Sequence, residues 1–216
     1  IVLLSGLFII NWYDFLQPKN SIYIDISNKT NSFIPIQKID TIKIAVAAII
    51  SPEETFIYYQ DLFNYISSKL GIKVELIQRK TYGEINNLLE SNNVDIAFIC
   101  SRAYVEGNID FDLDLLVIPI VKGEPYYYSY IIVSSDSNIT SLSDLKGKTF
   151  AFTDPLSNTG RLSPEYVIKQ IGESSSTFFK LTIFTYSHDK SIQAVAEGMV
   201  DGAAVDSLVW DYQLNI

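Results

Sequence analysis

Strand-like and helix-like segments alternate between residues 42 and 99, and this alternation constrains the fold more than any other feature of the sequence. Residues 42–47, 72–77 and 94–99 are rich in Ile, Val and Ala and have the length of strands. The segments between them carry apolar residues at three- and four-residue spacing, as amphipathic helices do. Such strand–helix–strand units form right-handed crossovers, so the pattern predicts an α/β fold with a mainly parallel sheet and helices on both faces.

Helix-end signals sharpen these boundaries. Ser51-Pro52 followed by Glu54 is typical of a helix start with a capping box, and Gly71 is typical of a helix end. Thr81 and Glu84 repeat the capping-box spacing. We therefore expect helices that begin near residues 52 and 82.

The pattern restarts after residue 134, which predicts a second, smaller α/β unit. Two further strands are expected before this point, at 115–121 and 127–133. In the second unit, strands are expected at 149–152, 178–184 and 203–205, and helices at 142–146, 164–171 and 187–197. Two lobes follow from this division, with lobe 1 at 41–133, lobe 2 at 134–207 and the start of a return to lobe 1 at 208–216. A cleft between two lobes is a common place for a small ligand.

Composition excludes several classes of function. Sixteen Lys and Arg against twenty-five Asp and Glu give a formal charge of −9, which argues against a nucleic-acid partner. This charge repels anions at long range, so an anion site must rely on short-range donors. Cys100 is the only cysteine; this excludes an internal disulfide, and its place after an apolar run favours a buried structural thiol.

The first residues have a different character from the rest of the chain. Residues 1–16 begin with an uncharged apolar run that ends in Trp12 and Tyr13, which predicts a truncated membrane anchor or a signal segment. A buried core helix is the structural alternative. Residues 17–40 are rich in Asn, Ser, Lys and Thr and predict a spacer, with a short strand possible at 21–26.

A hydroxyl-rich loop follows the strand at 149–152 and precedes a helix. Ser157 and Thr159 lie in this loop with Gly160. Backbone N–H groups at such a strand–loop–helix junction converge, and the helix dipole adds partial positive charge, so the loop could hold an anion. An ordinary connection, in which these residues only turn and cap the chain, is the alternative.

Two further polar residues lie at predicted helix starts. His188 is the only histidine, and with no second His nearby a metal site is not expected; a neutral cap residue is the plain alternative. Asp206 follows the strand at 203–205, where an N-cap role is the plain alternative. No Gly-x-Ser-x-Gly motif is present, so neither hydrolysis nor any catalytic residue is predicted.

Four blocks in order along residues 42–212 resemble one known family. They are Asp144-Leu145-Lys146-Gly147-Lys148-Thr149-Phe150-Ala151-Phe152-Thr153-Asp154-Pro155 with Ser157-x-Thr159-Gly160; Ser187-His188-Asp189-x-Ser191-Ile192-x-Ala194-Val195; Val200-Asp201-Gly202-Ala203-Ala204-Val205-Asp206-Ser207; and Asp95-Ile96-Ala97-Phe98. The chain is similar to the solute-binding proteins of phosphonate, phosphite and phosphate ABC importers, which have the two-lobed type II periplasmic-binding-protein fold. The resemblance implies mainly parallel sheets flanked by helices, with the ligand cleft between the lobes.

The resemblance also implies a site and a function. The protein would be an extracytoplasmic solute-binding protein that captures a phosphonate or related phosphorus oxyanion for an ABC importer, without enzymatic activity or a cofactor. Its partners would be the ligand, an ABC permease and, through the N-terminal segment, the membrane. The implied first-lobe contact loop contains Cys100-Ser101. The implied ligand-binding residues are Tyr82, Tyr126, Ser157, Asn158, Thr159, Gly160, His188 and Asp206.

Two alternatives remain at this point. The same fold could be the extracytoplasmic sensor of a membrane-anchored signalling protein of the kinase or cyclase type, with a downstream signalling domain as partner. The protein could also be an enzyme with this fold. Family members continue after the second lobe with further helices in the first lobe, whereas the sequence here ends at Ile216.

Overall fold

The computed structural model describes Val2–Leu3 and residues 40–214, apart from the side chains of residues 2–3 and 52–54. Most of the predicted anchor or signal segment, the spacer and the possible strand at 21–26 lie outside the described residues. The described residues belong to one compact unit. No helix in this part of the chain is long and apolar enough to cross a bilayer.

Eight strands and seven α-helices are described. The strands are β1 (Val2–Leu3), β2 (Thr41–Val46), β3 (Lys73–Gln78), β4 (Ile96–Phe98), β5 (Ser129–Val133), β6 (Thr149–Phe152), β7 (Leu181–Phe184) and β8 (Gly202–Asp206). The helices are α1 (Pro52–Leu70), α2 (Tyr82–Glu90), α3 (Ser101–Phe111), α4 (Ser163–Gln170), α5 (Ser175–Phe178), α6 (His188–Ala196) and α7 (Ser207–Gln213). A 3₁₀ turn at Leu142–Leu145 and a π-helical turn at Asn158–Leu162 complete the order.

The first sheet has three parallel strands in the order β3-β2-β4. Alternate residues of β2 are buried on opposite faces: Ile44 and Val46 contact Phe63 of α1, while Ala45 lies in a cluster with Ile85 of α2. Both faces are therefore covered, as expected for parallel strands that read as apolar runs. The predicted parallel sheet with helices on both faces is confirmed.

The second sheet has five strands in the order β1-β5-β8-β6-β7. β6 is parallel to β7 and β8, whereas β5 is antiparallel to β8 and β1 is antiparallel to β5. Phe150 and Phe152 of β6 face a cluster that contains Ile168 of α4, and Ala151 faces the cluster of α6 and Trp210. The sheet thus places the loop after β6 and the start of α7 at neighbouring positions on one edge.

Capping explains where α1 and α2 begin and end. Glu84 N–H donates to Thr81 Oγ1 (3.2 Å) and Thr81 N–H donates to Glu84 Oε2 (2.9 Å), so the predicted capping box is present. Gly71 ends α1 with φ 67°, a left-handed conformation that favours glycine. Ser51 makes no side-chain cap, and its N–H donates to Asp189 Oδ1 (3.0 Å).

The strand predicted at 115–121 is not formed. Leu115, Leu116, Val117, Ile118 and Ile120 are 53–73% exposed, and the pairing there is one bridge between Val121 and Glu124. Apolar composition makes a strand only where a neighbouring strand supplies hydrogen bonds, and Pro119 lacks the N–H needed for a ladder. The prediction from composition was wrong for this segment.

The strand predicted at 178–184 is shorter than expected. Ser174 and Thr177 form a capping box that starts α5, so residues up to Phe178 are helical and β7 begins at Leu181. Short-range hydroxyl hydrogen bonds therefore decide the boundary against the apolar pattern.

Candidate ligand-binding site

The loop after β6 is held by its own hydrogen bonds. Thr153 N–H donates to the Gly160 carbonyl (3.1 Å), and Gly160 N–H donates to Ser157 Oγ (2.9 Å). Leu162 N–H donates to the Ser157 carbonyl (3.0 Å) at the start of the π-helical turn. Ser157, Thr159 and Gly160 are all buried. The predicted hydroxyl-rich turn is thus a fixed structure.

Gly160 is required by close approach. A Cβ at this position would lie 2.3 Å from Thr153 Oγ1, 2.5 Å from Thr153 Cβ and 2.9 Å from Ser157 Oγ. Such distances cannot be relieved by a flexible side chain, because Thr153 and Ser157 are themselves fully buried. A side chain at residue 160 would therefore distort the loop.

His188 is buried at the start of α6, next to the same loop. Its Nδ1 accepts the Asp206 N–H (3.1 Å) and lies 3.1 Å from Thr153 Oγ1. Because a backbone N–H can only donate, Nδ1 carries no proton and the ring proton is on Nε2. Burial lowers the pKa of His188 to about 3, against the charge of Asp189. His188 is therefore a neutral donor at neutral pH.

Asp206 ends β8 and caps α7. Its Oδ1 accepts the Leu208 N–H (2.7 Å), the N-cap role expected of an aspartate here. Burial raises the pKa of Asp206 to about 6, and the hydrogen bonds from Leu208 and Val209 oppose this shift. The carboxyl group can therefore hold or accept a proton near neutral pH.

Tyr82 approaches from the first sheet. It begins α2, is 0% exposed, and its N–H donates to Asp154 Oδ2 (3.2 Å) of the β6 loop. Its Oη is buried with no hydrogen-bond partner in the described part of the chain. Burial raises the pKa of Tyr82 well above its ordinary value, and its interactions with Cys100, Asp154 and Asp206 add to the rise. The hydroxyl thus remains protonated, within electrostatic range of groups from both sheets.

Further hydrogen bonds join the same two edges. His188 N–H donates to the Ile49 carbonyl (2.9 Å), and Ser51 N–H donates to Asp189 Oδ1 (3.0 Å). The residue that follows β2 and the start of α1 therefore contact the start of α6. The carboxyl edge of the first sheet faces the loops of the second.

The loop also reaches the end of β4. Asn158 N–H donates to Cys100 Sγ (3.3 Å). Tyr127 Oη lies 3.0 Å from Ser101 Oγ and 4.0 Å from Cys100 Sγ, and burial raises the pKa of Tyr127 to about 12. Cys100 is free and buried. It therefore contacts the predicted site as well as the core.

Tyr126 has a different environment from the other predicted residues. It is 54% exposed, and its ring contacts Tyr128 edge-on at 6.2 Å between centroids. The neighbouring Tyr127 is the tyrosine of this segment whose hydroxyl approaches Ser101. The structure brings the other predicted residues to the loop after β6: Tyr82 is linked to it through Asp154, and His188 through Thr153. Asp206 joins them through its N–H bond to His188.

Sequence reasoning missed the roles of Thr153, Asp154 and Tyr127. Asp154 accepts from both Tyr82 N–H and Leu156 N–H, so it links the loop to α2. Its signal was available: it is an acidic residue directly after a buried parallel strand, at the edge where ligands gather. Tyr127 carried no comparable signal within a run of neighbouring tyrosines.

Two cavities lie away from these residues. One of about 530 Å³ is lined by Phe152, Arg161 and Glu165 among others, and one of about 260 Å³ by Ile49, Val209 and others. Neither is lined by a predicted site residue. Among the described residues, no group of three or more His, Cys, Asp or Glu is placed to hold a metal ion.

Comparison with known proteins identifies the family. The family model described as "ABC transporter, phosphonate, periplasmic substrate-binding protein" matches residues 44–215. This chain belongs to that family. The family consists of periplasmic substrate-binding proteins. Membership therefore agrees with the predicted extracytoplasmic location and with the prediction that the chain is not an enzyme.

Curated relatives cover the same region. The chain is 31% identical over 181 residues to the phosphate-import protein PhnD of Mycolicibacterium smegmatis, covering 79% of this chain and 56% of the relative. It is 32% identical over 143 residues to the phosphonates-binding periplasmic protein of Escherichia coli, covering 64% and 42%. The chain therefore spans about half the length of these relatives.

Solved structures of the family have the same fold. A binding protein component of an ABC phosphonate transporter from Pseudomonas aeruginosa matches with TM-score 0.72 and 26% identity, covering 79% of this chain and 58% of that one. PhnD1 of Prochlorococcus marinus, in complex with methylphosphonate, matches with TM-score 0.69 and 23% identity, covering 81% and 66%. The predicted type II periplasmic-binding-protein fold is confirmed.

Proposed function

We propose that this protein captures a phosphonate or related phosphorus oxyanion outside the cytoplasm and delivers it to an ABC permease. One observation carries the proposal: buried neutral donors from both sheets, the Tyr82 hydroxyl and the His188 Nε2–H, accompany the fixed loop that contains Ser157 and Thr159. Family membership and the names of the relatives support the same ligand class.

The donors suit an anion in a strongly acidic protein. Hydrogen bonds to an ionised oxygen are about twice as strong as neutral ones, and they act at short range. A chain of formal charge −9 gains little from long-range attraction, so affinity must come from such donors. The dipole at the start of the π-helical turn and α4 adds partial positive charge to the hydroxyl donors of Ser157 and Thr159.

Asp206 fits one of two roles in this site. With a pKa raised to about 6, its carboxylate can accept the proton of a monoprotonated oxyanion. Alternatively, it pairs with a cationic substituent of the ligand, such as an amine. Either role avoids an unpaired carboxylate beside the anion.

The proposed ligand-binding set contains all but one of the residues expected from the sequence. It comprises Tyr82, Ser157, Asn158, Thr159, Gly160, His188 and Asp206. We assign the position in the crossing segment to Tyr127 in place of Tyr126, since Tyr126 is exposed and Tyr127 approaches Ser101 and Cys100.

The remaining parts of the proposal concern the whole protein. We infer two lobes, one around each sheet, that close on the ligand as a hinge. The boundary expected at residue 133 moves to before residue 129, because β5 pairs with β8 in the five-stranded sheet. We also infer an N-terminal segment that attaches the protein to the membrane or directs its export. A signalling domain as partner has no comparison in its favour.

Calorimetric titration of the full-length protein tests the proposal. Phosphate, phosphite, methylphosphonate and aminoethylphosphonate are titrated into wild type, His188→Ala and Thr159→Ala. At least one ligand should bind wild type, and each variant should lose affinity by about tenfold to a hundredfold, as expected for a charge-assisted hydrogen bond.

A matched control separates the site from general destabilisation. Thr140→Ala removes an exposed hydroxyl that donates to Asp144, and it should keep wild-type affinity. Full affinity in both site variants would refute the proposed site, and absence of binding by wild type to all four ligands would refute the function.

A further inference from the structure

The sulfur of Cys100 accepts a hydrogen bond from one of the backbone N–H groups of the loop. Asn158 N–H lies at the start of the π-helical turn and points at Cys100 Sγ, 3.3 Å away. Cys100 is 8% exposed at the end of β4, so the contact links the edge of the first sheet to the loop of the second.

A second observation points to a ligand near the sulfur. Tyr82 Oη is a fully buried hydroxyl without a hydrogen-bond partner in the described residues, and Tyr82 and Cys100 belong to the same cluster of buried side chains. Tyr127 Oη is 4.0 Å from the same sulfur, and the charge of Asp206 acts on both tyrosines. The sulfur therefore lies near one tyrosine hydroxyl and in the same cluster as a second tyrosine whose hydroxyl lacks a partner in the described residues.

We propose that Cys100 determines ligand specificity: its sulfur occupies the Asn158 N–H and presents a weakly polar surface to one vertex of a tetrahedral phosphorus oxyanion, which favours a P–H or P–CH₃ substituent over a fourth oxygen. This rests on the proposed function, because it assumes that a phosphorus oxyanion binds here.

The chemistry of sulfur gives the reason. A thiol is a weak donor and a weak acceptor, and a buried cysteine behaves as a small hydrophobic residue. An ionised oxygen against it loses its water and gains no strong hydrogen bond, whereas a hydrogen or methyl substituent has no such bond to lose. Discrimination of this kind is typically tenfold to a hundredfold.

Two substitutions should reduce the preference for methylphosphonate or phosphite over phosphate, by different routes. Cys100→Ala removes the acceptor, so Asn158 N–H becomes available to a ligand oxygen. Cys100→Ser keeps nearly the same shape and adds a hydroxyl that can donate to that oxygen. Ser68→Ala is the control, because Ser68 is exposed on α1 and its hydroxyl donates to the Tyr65 carbonyl, away from the loop.

The experiment measures the affinity ratio of methylphosphonate and of phosphite to phosphate, by calorimetry of the full-length protein at one pH. We expect wild type to favour methylphosphonate or phosphite at least tenfold, Cys100→Ala and Cys100→Ser to reduce this ratio by about tenfold, and Ser68→Ala to keep it within about twofold. Thermal melting checks folding; if Cys100→Ala unfolds, Cys100→Ser alone decides.

The Asn158 amide gives a second readout in ¹H–¹⁵N NMR spectra. In wild type its resonance should move little on ligand binding, because the N–H remains on the sulfur, and in Cys100→Ala it should shift downfield with phosphate. An unchanged ratio in the cysteine variants, with a ligand still bound, would overturn the role of Cys100 and leave the proposed function intact. If wild type binds no oxyanion, the proposed function and this inference both fail.

Discussion

The two sheet edges that meet at the candidate site differ in how their polar groups are satisfied. On the five-stranded side, Gly160 N–H donates to Ser157 Oγ and Asp206 N–H donates to His188 Nδ1. On the three-stranded side, Tyr82 Oη has no partner among the described residues, and Cys100 offers only a sulfur acceptor.

This difference indicates that the two sheet edges have different roles in the site. Groups that are bonded to one another hold a fixed geometry before a ligand arrives, which suits the oxygens that all the candidate anions share. Groups that lack strong partners are sensitive to what the ligand brings. The five-stranded edge should therefore set whether an oxyanion binds, and the three-stranded edge should set which one.

Gly160→Ala should have the largest effect, because it disturbs the hydrogen-bonded loop at the five-stranded edge. The added Cβ would lie 2.3 Å from Thr153 Oγ1, so the loop must move, at a cost of about 1–3 kcal/mol in the free energy of unfolding. Affinity for the oxyanion should fall more than a hundredfold. Chemical denaturation and calorimetry measure the two effects.

Gly83→Ala is the control for this prediction. A Cβ at residue 83 would meet only Leu156 Cδ1, at 4.0 Å, within ordinary contact distance. It should leave stability and binding close to wild type. Normal binding by Gly160→Ala would show that the loop geometry does not affect binding. It would contradict the proposal that the five-stranded edge sets whether an oxyanion binds.

Tyr82→Phe should have an intermediate effect with opposite signs on stability and binding. Removing a buried hydroxyl without a partner should stabilise the ligand-free protein by about 1 kcal/mol, because its desolvation cost disappears. Ligand affinity should fall about tenfold, since one donor is lost.

Thermal melting with calorimetry checks this pair of effects, and Tyr65→Phe, at a 58% exposed tyrosine, is the control. A destabilised Tyr82→Phe variant with wild-type affinity would assign the hydroxyl a structural role and contradict the comparison.

Asp206→Asn should have the smallest of the three effects. The effect is measured as a change in the pH dependence of the free energy of unfolding. The pKa of Asp206 is raised from 3.8 to about 6 by burial, so between these values the folded state keeps a proton that the unfolded state releases. Stability from this group is present below pH 3.8 and is lost as pH rises to 6. The asparagine variant avoids this loss and keeps an N-cap side chain.

The free energy of unfolding of Asp206→Asn relative to wild type should therefore rise by on the order of 2 kcal/mol from pH 4 to pH 7. His188, whose pKa is lowered to about 3, destabilises both proteins as pH falls below 6.5, so its effect cancels in the difference. Urea denaturation at several pH values measures it. A difference that stays constant with pH would show that Asp206 is not protonated in the folded state.

Local sequence signals predicted the elements that carry the site. The capping box of Thr81, the glycine that ends α1 and the apolar runs of β2 and β6 all predicted their segments to within a few residues. The same signals misled at 115–121, because strand formation depends on a neighbouring strand and not on composition alone.

By itself, the sequence determined the alternation of strands and helices, the hydroxyl-rich loop before α4, and the placement of His188 and Asp206 at the starts of helices. Caps, turns and apolar periodicity act between near neighbours, so they can be read from the chain. Only the tertiary structure decided that Tyr127 and not Tyr126 approaches Ser101 and Cys100, that Nδ1 of His188 faces Asp206 N–H, and that Cys100 accepts from Asn158. These contacts join residues far apart in the chain, and their distances depend on how the two sheets meet.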